Sequence, residues 1–542
     1  MFADTVICSK NLFTGRGSIA YPGSFAVRDG RIILTGSQED MQGIIGPDTR
    51  IVDFGDAFIC AGFHDAHMHF FHSALYASPA ALRYRGSSER DCIEALAPLA
   101  ARRPGDSWLL SQGWRDACWT PPQPPTKASL DAAYPDRPVA LYSGDAHTLW
   151  MNNRALSELG ITEESTSPPG GAYDRDSAGM LTGIVRESAA MALMPRIVAS
   201  FSQTEIEDAY RSFLHHLAEH GVTSVCDLSL TAEPELDFVR DDIFSHLLDR
   251  GELTCRIHMF PTLAEDGERM RGMHRAYTGD RLRVCGFKQF FDGVSSQHTA
   301  WLQDPYDNAR FEGDCGRPTI DPERMRGLVL HAHREGWPVR IHAIGDQAIH
   351  TALDIFQEAR SLWGPLPGEK RHCLEHLENF QPDDIARMAL TDTVASVQPM
   401  HIALDPGSPE ADLGPQRTPF MWPFSKLLET GTALAFGSDS PVVDIDPLAG
   451  IYTAVTRMGM PDAAPYCSWM PHERIRIADA IRAYTLGSAY ACGRASELGT
   501  LEAGKFADFV VFDKNLINCK GTDILEAELL ATYVGGQQVY PV

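Results

Sequence analysis

The sequence predicts an α/β protein built around a (β/α)8 TIM-type barrel. A small β-sandwich domain assembled from both chain ends flanks it, and a large insertion follows the first barrel strand. Three observations lead there. Eight apolar, strand-like runs alternate with helical stretches through the middle of the chain, the pattern of parallel strands joined by crossover helices. Both ends of the chain are rich in short strand signals. One connection is far longer than ordinary loops allow.

Taken in order, residues 1–57 form the N-terminal part of the sandwich. TVICSKNLF (5–13), GSFAVRDGRIILTG (23–36) and TRIVDFG (49–55) alternate or cluster apolar residues between turns. Asp29-Gly30 between two apolar runs is a two-residue hairpin signal. The barrel is expected over 58–490, with strands at 58–66, 222–228, 254–260, 283–291, 338–343, 371–377, 393–399 and 432–438. Helices are expected at 204–220, 235–250, 322–335, 346–361, 381–389 and 423–430. Between the first two strands lie about 150 residues, too many for a connection. Residues 72–203 therefore read as an insertion that caps the barrel mouth, with a Ser-, Thr-, Pro- and Gly-rich loop at 165–182. FADFVVFD (506–513) and ATYVGGQQVYPV (531–542) return to strand texture, so 491–542 complete the sandwich.

A chain of 542 residues is ample for a large core and an accessory domain. Its net charge of -25 argues against nucleic acid or an anionic membrane as partner. No run reaches the length of a membrane span, and MFADTVICSK has no signal-peptide pattern. The twelve cysteines are scattered with no C-x-x-C pair, which fits free thiols in a reducing cytoplasm. A small-molecule substrate is the expected partner. The oligomeric state stays open, a homo-oligomer included.

The chemistry centres on GFHDAHMH (62–69). In an extended strand, residues two apart share a face, so His67 and His69 can reach one ion, with Asp65 on the same parity. Lys288, His342, His376 and Asp439 each sit in or just after another apolar run. In Val339-Arg340-Ile341-His342-Ala343 the apolar residues would face the helices and His342 the barrel axis. An unpaired lysine within VCGFKQFF would be costly to bury. Imidazole nitrogen and carboxylate oxygen suit zinc and similar divalent ions, and a catalytic site keeps one position open for water.

These residues resemble the amidohydrolase superfamily, and most closely its amidohydrolase 3 or YtcJ-like branch, the N-substituted formamide deformylase-like enzymes. The carriers are GFHDAHMH, GDAHTLWMN (144–152), FKQFFDG (287–293), IHAIGDQA (341–348), LEH (374–376), SVQPMH (396–401), GSDSPV (437–442) and GTLEAGKFADFVVFD (499–513). The resemblance implies a centre of one or two divalent ions, zinc expected. His67, His69 and Asp439 would surround one ion, and His342 and His376 the other. Lys288 would lie between, carboxylated to a bridging carbamate. Asp439 would also act as general base. Asp145, His147 and Glu187 match family positions near the pocket, and Trp114, Trp119 and Trp150 could form its aromatic wall. His401 follows the seventh strand and is a candidate substrate contact. His298 is another, and with Asp292 a candidate to orient the ligands. His64 stands where an apolar residue is commoner and receives no role. His331-x-His333 lies in a helical stretch, where residues two apart diverge, and is set aside.

The expected function is hydrolysis of a non-peptide carbon–nitrogen bond, of amide or formamide type, by metal-activated water. A deaminase, a cyclic amide hydrolase or a lactonase could use the same centre. A non-catalytic metal-binding regulatory protein is the alternative outside catalysis.

Overall fold

A computed structural model describes residues 2–144, 146–168, 171–231, 237–404, 408–461 and 468–541. The chain divides into two compact units, one of residues 1–69 with 214–542 and one of residues 70–213.

The first unit holds two parallel sheets. One contains Phe63–Met68, Val222–Leu228, Arg256–Phe260 and Leu282–Val284. The other contains Phe287–Phe290, Val339–Ala343, Cys373–His376, Val394–Val397 and Leu434–Phe436. Isolated parallel bridges pair Met68 with Ser440 and Thr262 with Lys288, so hydrogen bonding passes between the sheets at two places. Most of these strands are buried on both faces, which explains their near-continuous apolar runs.

Two expected strands are divided. The run 58–66 breaks at Gly62 into Phe58–Ala61 and Phe63–Met68, and only the second half enters a parallel sheet. The run 283–291 breaks into Leu282–Val284 and Phe287–Phe290, which sit in different sheets. The break contains Gly286, where a Cβ would lie 2.5 Å from the Pro338 carbonyl oxygen. Glycine permits that approach of two backbones.

The crossover helices include Gln203–Glu219, Asp241–Asp249, Pro322–Arg334, Asp346–Trp363, Pro382–Leu390 and Phe424–Glu429. Pro322 and Pro382 start their helices, where the missing N–H and fixed φ are no handicap. Asp321 caps the first of these by accepting from the Glu323 and Arg324 amides. Glu268–Ala276 and Pro447–Thr456 are further helices that the sequence pattern did not single out.

Both chain ends share one eight-stranded mixed sheet. Thr5–Leu12, Tyr21–Arg28, Arg31–Gly36, Arg50–Asp53 and Phe58–Ala61 come from the start, and Phe509–Phe512, Leu529–Val534 and Gln537–Tyr540 from the end. The seam is antiparallel, with Phe58 opposite Phe512 and Ala61 opposite Phe509. Ile7, Phe25, Ile59, Phe509 and Val511 form part of its core. Asp29 and Gly30, both at positive φ, make the expected hairpin turn.

The second unit carries a six-stranded sheet of Leu82–Arg83, Leu109–Trp114, Val139–Ser143, Thr148–Met151, Gly171–Arg175 and Leu181–Glu187. No helix among the described residues is long and apolar enough to cross a membrane.

Candidate metal centre

The strand Phe63–Met68 delivers His67, and His69 follows its end. Asp439 lies just beyond Leu434–Phe436 with φ 58°, and its amide donates to the His67 carbonyl at 2.6 Å. Gly437 allows this junction, since a Cβ there would meet the His67 amide nitrogen at 2.4 Å. One oxygen of Asp439 then lies 3.3 Å from His67 Nε2 and 3.1 Å from His69 Nε2. His376 ends its strand at φ 71°. Its ring centre is 4.9 Å from that of His67 and 4.3 Å from that of His342. One donor atom each from His67, His376 and Asp439 falls within 4.8 Å of the others, all three residues being buried.

Several polar atoms in this region make no hydrogen bond within the protein. His67 Nε2, His376 Nδ1 and Lys288 Nζ are buried without a hydrogen bond. Buried polar atoms are normally satisfied, so three orphans beside a buried carboxylate fit a group that binds there. A cation suits them: the two imidazole nitrogens offer lone pairs and Asp439 offers charge.

The electrostatics agree. Burial would lift Asp439, but His67 and His69 hold it well below the usual carboxylate range. Burial would lower His67, but Asp439 and Glu375 outweigh it and raise its pKa. Burial, with His342 adding to it, holds His376 well below the ordinary imidazole value. Burial also pushes Lys288 down to about 8, against the pull of Glu375 and Asp439. Its ammonium sits 4.3 Å from the centre of the Phe290 ring.

A support layer absent from the sequence-based site holds these groups. Glu375 accepts from His67 Nδ1 at 2.7 Å and from Arg340 Nε at 2.7 Å, all three fully buried. A carboxylate on Nδ1 fixes the tautomer that leaves Nε2 free for a metal. Arg340 also donates to the Ala66 carbonyl and to Ser396 Oγ. The available signal was parity: Arg340 alternates with His342, so both occupy the same face of their strand.

Asp65 is not positioned as a ligand. Its Oδ1 accepts the amides of His67 and Ser438 at 3.0 and 3.1 Å, tying the two strand ends together, and burial raises it to about 6. Asp292 accepts the amides of Trp301, Ile344 and Gly345 and stands 3.7 Å from His342 Nε2. Burial lifts it to about 7. His298 pairs with Asp314 at 2.7 Å and stacks on Tyr306 at 4.1 Å. His401 Nε2 is 3.7 Å from the second oxygen of Asp439, so it belongs to the rim of the same cluster.

The remaining sequence candidates lie in the second unit. His147 Nδ1 meets Glu187 at 2.8 Å. Trp114, Trp119 and Trp150 pack on one another in that unit's core, and the Trp114 and Trp150 indoles donate to the Leu141 and Thr126 carbonyls. Asp145 lies outside the described residues.

Parallel α/β sheets with imidazoles, a lysine and an aspartate gathered at one centre define an amidohydrolase-like class. The chain belongs to the Amidohydrolase family, whose profile matches residues 50–540. It is 31% identical to Protein LONG AFTER FAR-RED 3 of Arabidopsis thaliana, over 99% of this chain and 92% of that one. It is 24% identical to N-substituted formamide deformylase of Arthrobacter pascens, over 98% of this chain and 97% of that one. Among solved structures it resembles an uncharacterized metal-dependent hydrolase from Pyrococcus horikoshii OT3. That match has a TM-score of 0.75 at 24% identity and covers 95% of this chain and 99% of that one.

Proposed function

We propose that this protein is a metal-dependent hydrolase that cleaves a non-peptide carbon–nitrogen bond, of amide or formamide type, in a small molecule. The two parallel sheets are read as halves of a (β/α)8 barrel, with the terminal sheet as its β-sandwich companion. The reading rests above all on the orphaned donors of His67, His376 and Lys288 beside the Asp439 carboxylate. The formamide class is suggested by the deformylase similarity over nearly the whole chain.

His67, His69, His342, His376 and Asp439 would hold one or two divalent ions, zinc being the expected metal. When bound, such an ion lowers the pKa of water and polarises a carbonyl. Asp439 takes the proton from the attacking water and passes it to the leaving nitrogen. His401 lies close enough to Asp439 to steady that carboxylate or meet the substrate. Burial brings Lys288 down to about 8, so far more of it than of an ordinary lysine is the neutral amine that attacks carbon dioxide. That attack forms a new N–C bond, moves one C=O π pair onto oxygen and releases one proton, and the resulting anionic carbamate would offer two oxygens to a divalent centre.

Metal analysis of protein purified without added metal tests the centre. About two ions per chain that are lost in His67→Ala/His376→Ala, and that fall in Lys288→Ala, is the expected result for a carbamate-bridged pair at this centre. One ion unchanged in that variant would make Lys288 structural. Asp439→Asn should keep the fold and lose ~10²–10⁴-fold in turnover on a panel of N-substituted amides and formamides. Wild-type turnover in this variant would refute the assigned role. Ammonia release from amino-heterocycles, without amide cleavage, would replace the proposed reaction with deamination.

A further inference from the structure

His64 has no role in the centre just described, yet it is 2% exposed in the middle of a strand. Its ring stacks on His258 with centres 4.8 Å apart and planes at 29°. Its Nε2 lies 3.5 Å from Cys226 Sγ, while its Nδ1 is buried without a hydrogen-bond partner. Cys492, just past the helix Ser488–Ala491, completes the group. One donor atom each from His64, Cys226, His258 and Cys492 lies within 4.8 Å of every other. Cys226 and His258 are fully buried and Cys492 is 6% exposed. Three of the four project from the neighbouring parallel strands Phe63–Met68, Val222–Leu228 and Arg256–Phe260.

Two thiols and two imidazoles form the donor set of closed, four-coordinate zinc sites, with Zn–S near ~2.3 Å and Zn–N ~2.0–2.1 Å. Ligand atoms around such an ion stand roughly 3.3–3.8 Å apart, so closing this cluster needs a contraction of only about 1 Å. Charge favours the fit as well. Two thiolates cancel a divalent cation, and a neutral complex avoids the penalty of burying net charge. Burial raises a thiol's pKa, but Cys492, Arg340 and His64 draw Cys226 well below its ordinary value, while burial and the neighbouring Cys226 push Cys492 well above it. The pair thus offers one thiolate, and the second proton is released when a metal binds. The thiolate is the metal-binding form.

The positive neighbours are already matched. Arg340 is paired with Glu375 at 2.7 Å. Arg494 pairs with Glu497 at 2.9 Å and donates to the Asp280 carbonyl at 2.9 Å. Arg494 also contacts His258 Nε2 at 3.2 Å, and His258 Nδ1 meets the Val225 carbonyl at 3.1 Å. Coordination through Nε2 exchanges the arginine contact for the ion and leaves the other two Arg494 bonds in place.

We infer that His64, Cys226, His258 and Cys492 form a second, structural metal site of the zinc type that shares no ligand with the centre at His67, His376 and Asp439. It gives His64 a function and ties three strands to the segment after Ser488–Ala491.

Cobalt substitution of the full-length protein separates the two centres, because only this one offers sulfur. The expected result is a thiolate-to-cobalt charge-transfer absorption in the near ultraviolet. Cys226→Ser/Cys492→Ser should abolish it and lower the zinc content by one ion per chain. His64→Leu, which restores an apolar residue, should weaken retention of that ion against a chelator. Cobalt-loaded wild-type protein without the charge-transfer band overturns the inference, whatever the variants do. So does recovery of Cys226 and Cys492 as a disulfide under non-reducing conditions. Neither outcome bears on the catalytic centre, whose ligands are nitrogen and oxygen.

Discussion

Glu375 shows how one buried residue serves both stability and chemistry. Its oxygens divide between Arg340 and His67, so it is a counterion on one side and a tautomer lock on the other. Burial alone would raise its pKa, yet Arg340 and His67 hold it far below the usual carboxylate range. Glu375→Gln keeps the shape and removes the charge. Metal affinity should fall by ~10–100-fold, the usual effect of losing an outer partner of a ligating histidine. Stability should fall by about 3–5 kcal/mol, because Arg340 is left buried and uncompensated. Chelator competition reads the first effect and urea denaturation the second. Unchanged chelator resistance would reduce Glu375 to a partner of Arg340 alone. The ligand candidates themselves were legible in the sequence, because His-x-His in a strand and a charged residue inside an apolar run are local signals. Glu375 and Arg340 were not, since their pairing spans 35 residues and only the fold brings them together.

Strands and helices were legible where periodicity ruled and failed where backbone contact ruled. Gly62 and Gly286 divide two expected strands because Thr223 and Pro338 crowd them, with a Cβ on either meeting an atom at 2.3 or 2.5 Å. The sequence displays the glycines but not those neighbours. The helix Pro322–Arg334 hides a second long-range link. His333 Nδ1 lies 2.8 Å from His372 Nε2, and His372 Nδ1 accepts the Val339 amide at 3.0 Å. His333 Nε2 meets the Gly364 carbonyl at 3.0 Å, so a neutral His372–His333 relay satisfies every nitrogen. Burial, with His333 adding to it, pushes His372 down to about 3, against about 6.5 in an unfolded chain. Between those values the unfolded state binds the extra proton. The contribution of the relay is therefore complete above about pH 6.5 and is lost as pH falls toward 3. Urea midpoints measured from pH 7 to pH 4 should drop more steeply in the wild type than in His372→Gln. Parallel curves would show that the relay does not carry the pH dependence.

At the scale of the molecule, the start and end of the chain were recognisable by texture alone as partners, and they do share one sheet. What attaches that sheet to the parallel strands was invisible, because it joins residues 252 apart. Arg256, on a parallel strand, donates from Nε and Nη2 to the two oxygens of Asp508 at 2.6 and 2.9 Å. Asp508 precedes the first C-terminal strand and also accepts the Gly535 amide at 2.6 Å. Arg256 lies 3.8 Å from the centre of the Phe506 ring, and Arg31 of the N-terminal part lies 3.7 Å from it. One aromatic ring thus touches both an N-terminal strand and a parallel strand. Both members of the Arg256–Asp508 pair are nearly fully buried, so deleting one leaves an unmatched charge. Asp508→Ala should lower unfolding stability by about 3–5 kcal/mol. Replacing both residues, as Arg256→Met with Asp508→Leu, should recover much of that loss, since a packed apolar pair is often as stable as the buried ions it replaces. Because neither residue reaches the metal centre, folded protein of either variant should keep the wild-type metal content. Urea denaturation with metal analysis on the same samples checks both statements. A double variant no more stable than Asp508→Ala would mean that the bidentate geometry, rather than charge balance, fastens the terminal sheet to the rest of its unit.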